Sequence, residues 1–289
     1  MLKKLKHSVE YFFFLYFAAI FRIVPLKSAG TFAAFLIESI VVLFKADRVA
    51  KANLQKIFPE KSLMEIAQIK REVWGNLGRN FAEYAHFSEM TNDDIMEMVE
   101  IVGEKHMKKY LGKNKPVIFF TGHYGNWELA NIVLAIKGYK MNTIYRPANN
   151  TYIDNKVAKF RMKNRDVKLY KKGASDSIGF LKALKKGEAG GMLIDQKYGE
   201  GIKVPFMGHE ASCSTFVANV AKKYDIPLVP TRVKRIAGDK FQVIFDKPIE
   251  PKEIKDKSEY EILLMLNKVI EQWIREVPGH WFWVHNRWS

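Results

Sequence analysis

The pattern of hydrophobic and polar positions changes character at about Lys115. The first hundred residues have a helical pattern. Residues 62–65 read Ser-Leu-Met-Glu, which is the spacing of a capping box, and an amphipathic helix should follow to about Tyr84. After Lys115, short apolar runs of strand length alternate with helical segments. This alternation predicts two differently organised parts within one chain.

The second part of the chain predicts an α/β fold. Strands are expected at 116–121, 140–145, 167–170, 190–195, 227–232 and 241–245, with helices at 126–137, 152–165, 175–187, 215–224 and 258–276. Such alternation favours a largely parallel mixed sheet sandwiched by helices. Reacting groups in these folds lie at the carboxyl ends of strands. Three loops meet that description, and they hold His123, Arg146 and Asp195.

The N-terminal segment carries an apolar helix of less than spanning length. A basic start, Met1 to Lys6, precedes an unbroken apolar run from Tyr11 to Ile20, and a second run at 31–44 contains Glu38. A bilayer span needs about 20 apolar residues. We therefore expect a helical anchor that lies in or partly enters the membrane, with residues 1–45 as the membrane-associating segment and 46–289 as the catalytic domain. A core helix buried against the domain is the alternative reading.

Charge narrows the choice of partners. The 289 residues include 47 Lys and Arg against 31 Asp and Glu, a net charge of +16. Such an excess indicates a polyanion: nucleic acid, anionic lipid headgroups or an acidic carrier protein. No nucleic-acid-binding motif is present, and the apolar N-terminus favours lipid over nucleic acid. One cysteine excludes an internal disulfide, and neither metal-ligand spacing nor a glycine-rich phosphate loop is present, so we expect no metal and no cofactor.

The most informative motif is Gly122-His123-Tyr124-Gly125-Asn126-Trp127-Glu128. A histidine leaves a predicted buried strand on a turn flanked by glycines, and a carboxylate follows in the first turn of a helix that Asn126 is expected to cap. Imidazole transfers protons near neutral pH, and a carboxylate on its far nitrogen would fix the tautomer. These features predict a His123–Glu128 catalytic pair. A packing histidine beside a capping carboxylate is the alternative.

This motif resembles the His-x4-Asp/Glu signature of the glycerolipid acyltransferase superfamily, and its exact form is similar to the late lipid A acyltransferases. The likeness extends along the chain through Phe58-Pro59-Glu60, Tyr145-Arg146-Pro147 with Arg161, Asp195-Gln196, and residues 204–208 and 281–288. Tyr124 and Asn286 depart from the usual pattern. The resemblance implies transfer of a fatty acyl chain from acyl carrier protein to a hydroxyl of a lipid A precursor, at the cytoplasmic face of a Gram-negative inner membrane.

By this resemblance, His123 would be the general base and Glu128 would orient it. Arg146, Arg161, Asp195, Gln196 and Asn126 would contact substrate, although a surface arginine and a loop-capping aspartate are the plain alternatives for Arg146 and Asp195. Another glycolipid or phospholipid acceptor would fit the same chemistry, and a basic membrane-binding protein without activity is the rival class. Acyl chain length, the position acylated, carrier protein against coenzyme A, and the oligomeric state all stay open at this stage.

Overall fold

The computed structural model describes residues 2–163, 165–236 and 239–288. The helical part comprises α1 Leu2–Ile23, α2 Leu26–Val41, α3 Lys45–Ile57, α4 Leu63–Phe87 and α5 Asn92–Glu97. The α/β part comprises β1 Val99–Val102, α6 Glu104–Lys108, β2 Val117–Thr121, α7 Trp127–Ile136, β3 Met141–Tyr145, α8 Thr151–Met162, β4 Val167–Lys171, α9 Ala174–Lys185, β5 Ala189–Leu193, β6 Ile202–Phe206, β7 His209–Cys213, α10 Phe216–Lys223, β8 Leu228–Arg235, β9 Phe241–Phe245, α11 Pro251–Ile254 and α12 Glu259–Glu276.

A seven-stranded sheet of order β1-β9-β8-β2-β5-β3-β4 forms the centre of the molecule. Every neighbouring pair is parallel except β8 and β9, so the predicted largely parallel mixed sheet is confirmed. β2 alternates its side chains between two hydrophobic cores. Val117 and Phe119 belong to the core that includes α7, whereas Ile118 and Phe120 belong to the core that includes α10 and α12. Helices on both faces therefore bury the central strands.

The helical part packs against the domain along α4. The capping box predicted at Ser62 and Glu65 is present, with Ser62 Oγ accepting from the Glu65 amide. α2 lies so close to α4 that a Cβ on Gly78 would come within 2.5 Å of the Ala33 carbonyl oxygen. α1 also docks on α4, where the Arg22 guanidinium donates to the Ala85 carbonyl and to Ser88.

The predicted anchor is a pair of helices with one buried side and one exposed side. Ala18 and Phe21 of α1 are buried, while Phe12, Phe13 and Tyr16 are at least half exposed. Within the described residues no single helix has both the length and the apolar character to cross a membrane, although α2 and α3, bent by 92°, meet that test as a pair. A membrane anchor thus stays a prediction.

The sequence patterns did not predict three of the described strands. β1 begins at the end of the hundred residues predicted to be helical, and it pairs with β9 at the sheet edge. β6 and β7 form a separate antiparallel hairpin over residues 202–213. β1 alternates half-buried and exposed positions over only four residues, which is too short for its period to stand out.

Candidate active site

The histidine turn leaves the carboxyl end of β2 as the motif predicted. Gly125 takes a left-handed conformation with φ of 58°, and a Cβ there would lie 2.0 Å from the Val233 carbonyl oxygen. Glycine is therefore required at this position for both space and backbone conformation. The Gly125 amide donates to the His280 carbonyl, and the amide of Asn80 on α4 donates to the Gly125 carbonyl. Hydrogen bonds to α4 and to His280 thus fix the turn. His280 immediately precedes the C-terminal tail, residues 281–288.

Sheet register brings Asp195 to His123. β2 and β5 are neighbours, and Thr121 pairs with Leu193, so each catalytic candidate follows its strand by two residues at the same edge. The Asp195 carboxylate accepts from the His123 backbone N–H at 2.7 Å and contacts the imidazole Nδ1 at 2.8 Å. Gly122 makes this approach possible, because a Cβ there would lie 3.0 Å from Asp195 Oδ2.

Asp195 is an ionised carboxylate with three donors around it. Burial opposes its charge, but His123 and the hydrogen bonds from His123 and Trp281 outweigh that effect and lower the pKa of Asp195 to about 2. The Trp281 indole donates to Asp195 Oδ2 at 2.7 Å. A carboxylate on Nδ1 places the imidazole proton there and leaves Nε2 as the proton-accepting atom.

Glu128 pairs with Arg161 instead of with His123. The Arg161 Nε donates to Glu128 Oε2 at 2.7 Å, and the Arg161 Nη2 donates to Glu128 Oε1, forming a bidentate ion pair. Burial would raise the pKa of Glu128, but the guanidinium charge and hydrogen bonds hold it below the ordinary value. The expectation that Glu128 holds the far nitrogen of His123 is therefore wrong. A permanently charged fork satisfies a carboxylate more fully than one imidazole N–H.

Gln196 lies between two imidazole rings. Its side-chain Nε2 is 3.1 Å from His123 Nε2 and 3.0 Å from His285 Nε2. The main-chain carbonyl oxygen of Gln196 accepts from the buried Arg287 guanidinium at 3.4 Å. The His285 carbonyl accepts from Asn53 on α3 at 2.8 Å. Buried groups thus hold both Gln196 and His285 close to His123.

A cavity of about 820 Å³ opens beside His123. That volume lies within the range of small-molecule sites. Glu128, Arg146, Arg161, and Gln196 line it together with His123. Its apolar lining comes from Trp127, Ile144, Met192, Leu193, Ile194, Phe216 and Val217. The cavity therefore joins the candidate base to both charged and apolar surface.

The mouth of this cavity has two exposed basic side chains beside the exposed Glu200 carboxylate. Arg146 is exposed, and within the described residues it forms no salt bridge. Lys172 also lines the cavity and stacks its ammonium 4.1 Å from the Tyr198 ring centre. Burial and the charge of Arg146 lower the pKa of Lys172. Two neighbouring cations of this kind favour an anionic ligand.

Asn126 does not reach the cavity. Its side chain is buried, and its amide donates to Glu83 Oε2 at 2.7 Å, where Glu83 also receives Arg235. It makes no side-chain cap at the start of α7. Both expectations for Asn126, the cap and the substrate contact, are corrected by this geometry, because the buried Glu83 carboxylate uses the amide as a donor.

The C-terminal tail supplies two groups that sequence reading missed. Trp281 and His285 reach the site from 86 and 89 residues beyond Asp195 and Gln196. Trp281 and Trp283 are buried at 2% and 0% exposure, so these two tryptophans pack in the core. The strand-end rule pointed to Asp195, but no local spacing marks a distant indole or imidazole. Within the described residues no group of three His, Cys, Asp or Glu side chains is arranged to hold a metal ion.

The structure thus has an α/β sheet with a carboxylate-held histidine at the ends of two adjacent parallel strands, beside a cavity, which is an arrangement that suits general acid–base chemistry. Comparison with known proteins identifies the family to which the chain belongs. The profile of the bacterial lipid A biosynthesis acyltransferase family matches residues 1–289, and the chain belongs to this family. It is therefore an O-acyltransferase of lipid A secondary acylation.

Named relatives support the same assignment. The chain is 25% identical over 251 residues to the lipid A biosynthesis palmitoleoyltransferase of Escherichia coli K12, covering 85% of this chain and 79% of that protein. It is 26% identical over 246 residues to the lipid A biosynthesis lauroyltransferase of the same organism, covering 83% and 78%. A lipid A biosynthesis acyltransferase of Shigella flexneri is 25% identical over 251 residues, covering 85% and 79%.

Proposed function

We propose that this enzyme transfers a fatty acyl chain from acyl carrier protein to a hydroxyl of a lipid A precursor, with His123 as general base. The observation that carries this proposal is the position of His123, which borders the cavity while Asp195 holds its Nδ1. His123 Nε2 takes the proton of the acceptor hydroxyl as that oxygen bonds to the thioester carbonyl carbon. The carbon–sulfur bond then breaks, and the imidazolium returns the proton to the departing sulfur.

We propose different roles for the two carboxylates. Asp195 fixes the tautomer of His123 and stabilises the imidazolium that forms. Glu128 keeps the Arg161 guanidinium beside the cavity through their bidentate ion pair. No acyl-enzyme is needed, and Cys213 is buried against Arg287.

Arg146 and Lys172 are proposed to bind a phosphate of the acceptor. Both cations line the cavity, and neither forms a salt bridge within the described residues, so an anion arriving there gains their charge without displacing a carboxylate. Gln196 would contact the acceptor at the inner end, next to His123. The net charge of +16 also suits approach by an acidic carrier protein.

The α1–α2 face is proposed to rest on the cytoplasmic leaflet of the inner membrane. Large apolar side chains are exposed along these helices and the turn that follows: Leu5, Val9, Phe12, Phe13, Tyr16, Phe32, Phe35, Leu43 and Phe44. On α1 these positions recur at helical spacing and give the helix an exposed apolar face, and a surface of this kind marks a membrane or protein contact. Lysines at the start of α1 suit anionic headgroups. Residues 1–45 would then be the membrane-associating segment of a catalytic domain that spans 46–289.

The catalytic proposal is tested with purified enzyme, lauroyl-acyl carrier protein and a radiolabelled lipid A precursor. His123→Ala is expected to reduce transfer by about 10²- to 10⁴-fold, the contribution of a positioned base. His209→Ala is the matched control, because His209 lies on the β6–β7 hairpin outside the cavity lining. Equal transfer by wild type and His123→Ala would refute the role of His123. Mass spectrometry of lipid A from a deletion strain tests the acceptor, since an unchanged set of secondary chains would point to another lipid.

The membrane proposal is tested by sedimentation with vesicles that contain anionic phospholipid. Phe32→Glu with Phe35→Glu should reduce vesicle binding by about tenfold or more, because burial of each aromatic ring contributes about 1.5–3 kcal/mol. Ile178→Glu with Tyr260→Glu is the control pair, since both residues are exposed on other helices. Equal losses from the two pairs would contradict a specific lipid face.

A further inference from the structure

The proton-accepting atom of His123 is already occupied. Asp195 holds Nδ1, so the single lone pair of the neutral ring lies on Nε2. The Gln196 amide nitrogen, 3.1 Å away, carries hydrogens only and therefore donates to that lone pair. As long as this hydrogen bond is present, Nε2 cannot take a proton from water or from any hydroxyl.

His285 completes the arrangement. The second hydrogen of the same Gln196 amide is directed to His285 Nε2 at 3.0 Å. An amide nitrogen has two hydrogens, so two imidazole acceptors satisfy it fully. Burial lowers the pKa of His285, which keeps its ring neutral and able to accept. We call Gln196 and His285 together the cap.

Buried groups hold the main chain of both cap residues. His285 belongs to the C-terminal tail, whose carbonyls at 283 and 285 accept from the buried Asn53 amide. Arg287, fully buried, donates to the Gln196 main-chain carbonyl. Only the flexible side chain of Gln196 has to rotate for the cap to open. Gln196 lines the cavity, so a ligand that enters can replace it.

We propose that the cap blocks His123 until the acceptor hydroxyl displaces the Gln196 amide, and so protects the acyl thioester from water. This inference rests on the proposed transfer function. In the unwanted reaction, water gives a proton to His123 Nε2 and its oxygen bonds to the thioester carbonyl carbon. The carbon–sulfur bond breaks, the proton passes to the thiolate, and free fatty acid is lost. A large acceptor bound at several points displaces the amide where one water molecule does not.

The test compares two products from one donor. Lauroyl-acyl carrier protein is incubated with the full-length enzyme, with and without the lipid acceptor, and free laurate and acylated lipid are both measured. Gln196→Leu keeps a similar volume but donates no hydrogen bond, so free laurate without acceptor should rise by about 2- to 10-fold, the effect of removing one hydrogen bond. His285→Phe keeps a ring but removes one acceptor of the cap, so a smaller rise is expected.

Controls separate the cap from general damage. Gln272→Leu, on the exposed side of α12, should leave hydrolysis unchanged. Gln196→Leu with His123→Ala should hydrolyse no faster than His123→Ala alone, because the uncapped base is gone. A misfolded variant loses both products, and His285→Phe then provides the same test.

The outcomes distinguish the cap proposal from the proposed transfer function. Hydrolysis by Gln196→Leu and His285→Phe at or below the wild-type rate, while wild type still acylates the lipid, would overturn the cap and leave the transfer function standing. A rise that persists in the double variant with His123→Ala would also overturn it. Wild type that forms no acylated lipid would instead contradict the proposed function itself.

Discussion

Two carboxylate pairs lie on either side of the histidine turn, and they differ in what they hold. Asp195, 3% exposed, holds an imidazole that changes charge with each proton it accepts. Glu128 holds the guanidinium of Arg161, which stays charged at every step. The first pair can respond to proton transfer, whereas the second is a constant neutral unit. Closeness along the chain therefore does not identify the carboxylate that holds His123.

The largest effect is expected from substitution of Asp195. Asp195→Asn should lower kcat for transfer by about 10²- to 10⁴-fold, because an amide no longer fixes the tautomer or stabilises the imidazolium. Steady-state kinetics measure this, with the exposed Asp256→Asn as control. Near-wild-type kcat in Asp195→Asn would return the orienting role to Glu128.

The Glu128 pair should show its contribution chiefly as stability. Glu128→Gln leaves Arg161 without its charged partner and should lower the free energy of unfolding by about 3 kcal/mol. This value is at the low end for buried ion pairs, because about a fifth of each side chain is exposed to solvent. Glu128→Gln with Arg161→Gln should lose less than the sum of the single variants. Urea unfolding measures all three. Additive losses would contradict a coupled pair.

Acid should separate Asp195 from ordinary surface carboxylates. Its folded pKa of about 2 lies below the unfolded value, so its ionised form contributes about 2 kcal/mol of stability near neutral pH. That contribution is complete above about pH 4 and is lost as the pH falls towards 2. The stability difference between wild type and Asp195→Asn, followed by urea unfolding, should therefore shrink over this range. A constant difference would argue against the lowered pKa.

The smallest effect is expected at the cavity mouth. If Glu128 already neutralises Arg161, the exposed Arg146 provides the attraction for an anionic acceptor. Arg146→Ala should raise KM for the acceptor by about two- to fivefold and leave kcat nearly unchanged, as for an exposed ion pair. Arg275→Ala on α12 is the matched control. A fall in kcat alone would place Arg146 in the chemical step.

Sequence patterns captured the features that depend on short spacing. The apolar run at 116–121 and the glycine turn after it fold as β2 and the histidine turn, because burial and positive φ are local demands. The lipid A acyltransferase resemblance was confirmed along the whole chain. The rule that strand ends carry reacting groups also pointed to Asp195 before its partner was visible.

Features that depend on competition between distant groups were not predictable. Glu128 had two possible partners, and only the path of α8 brings Arg161 to it. Asn126 had the sequence of a helix cap, but α4 presents Glu83 to its amide. The Trp281 indole and the His285 ring reach the site through the tail, which is far from Asp195 and Gln196 along the chain. In each case tertiary packing decided between side chains with similar local preferences.

The C-terminal tail is the last part of the candidate site that the ribosome synthesises. During translation, β2, α7 and β5 emerge from the ribosome well before residues 281–287. Until those residues emerge, Asp195 lacks its indole donor and Gln196 lacks both the His285 ring and the Arg287 guanidinium. A nascent chain that has already formed its sheet therefore has an Asp195 carboxylate without its indole donor and a His123 imidazole without its complete cap, and both contacts form only when the last segment folds into place.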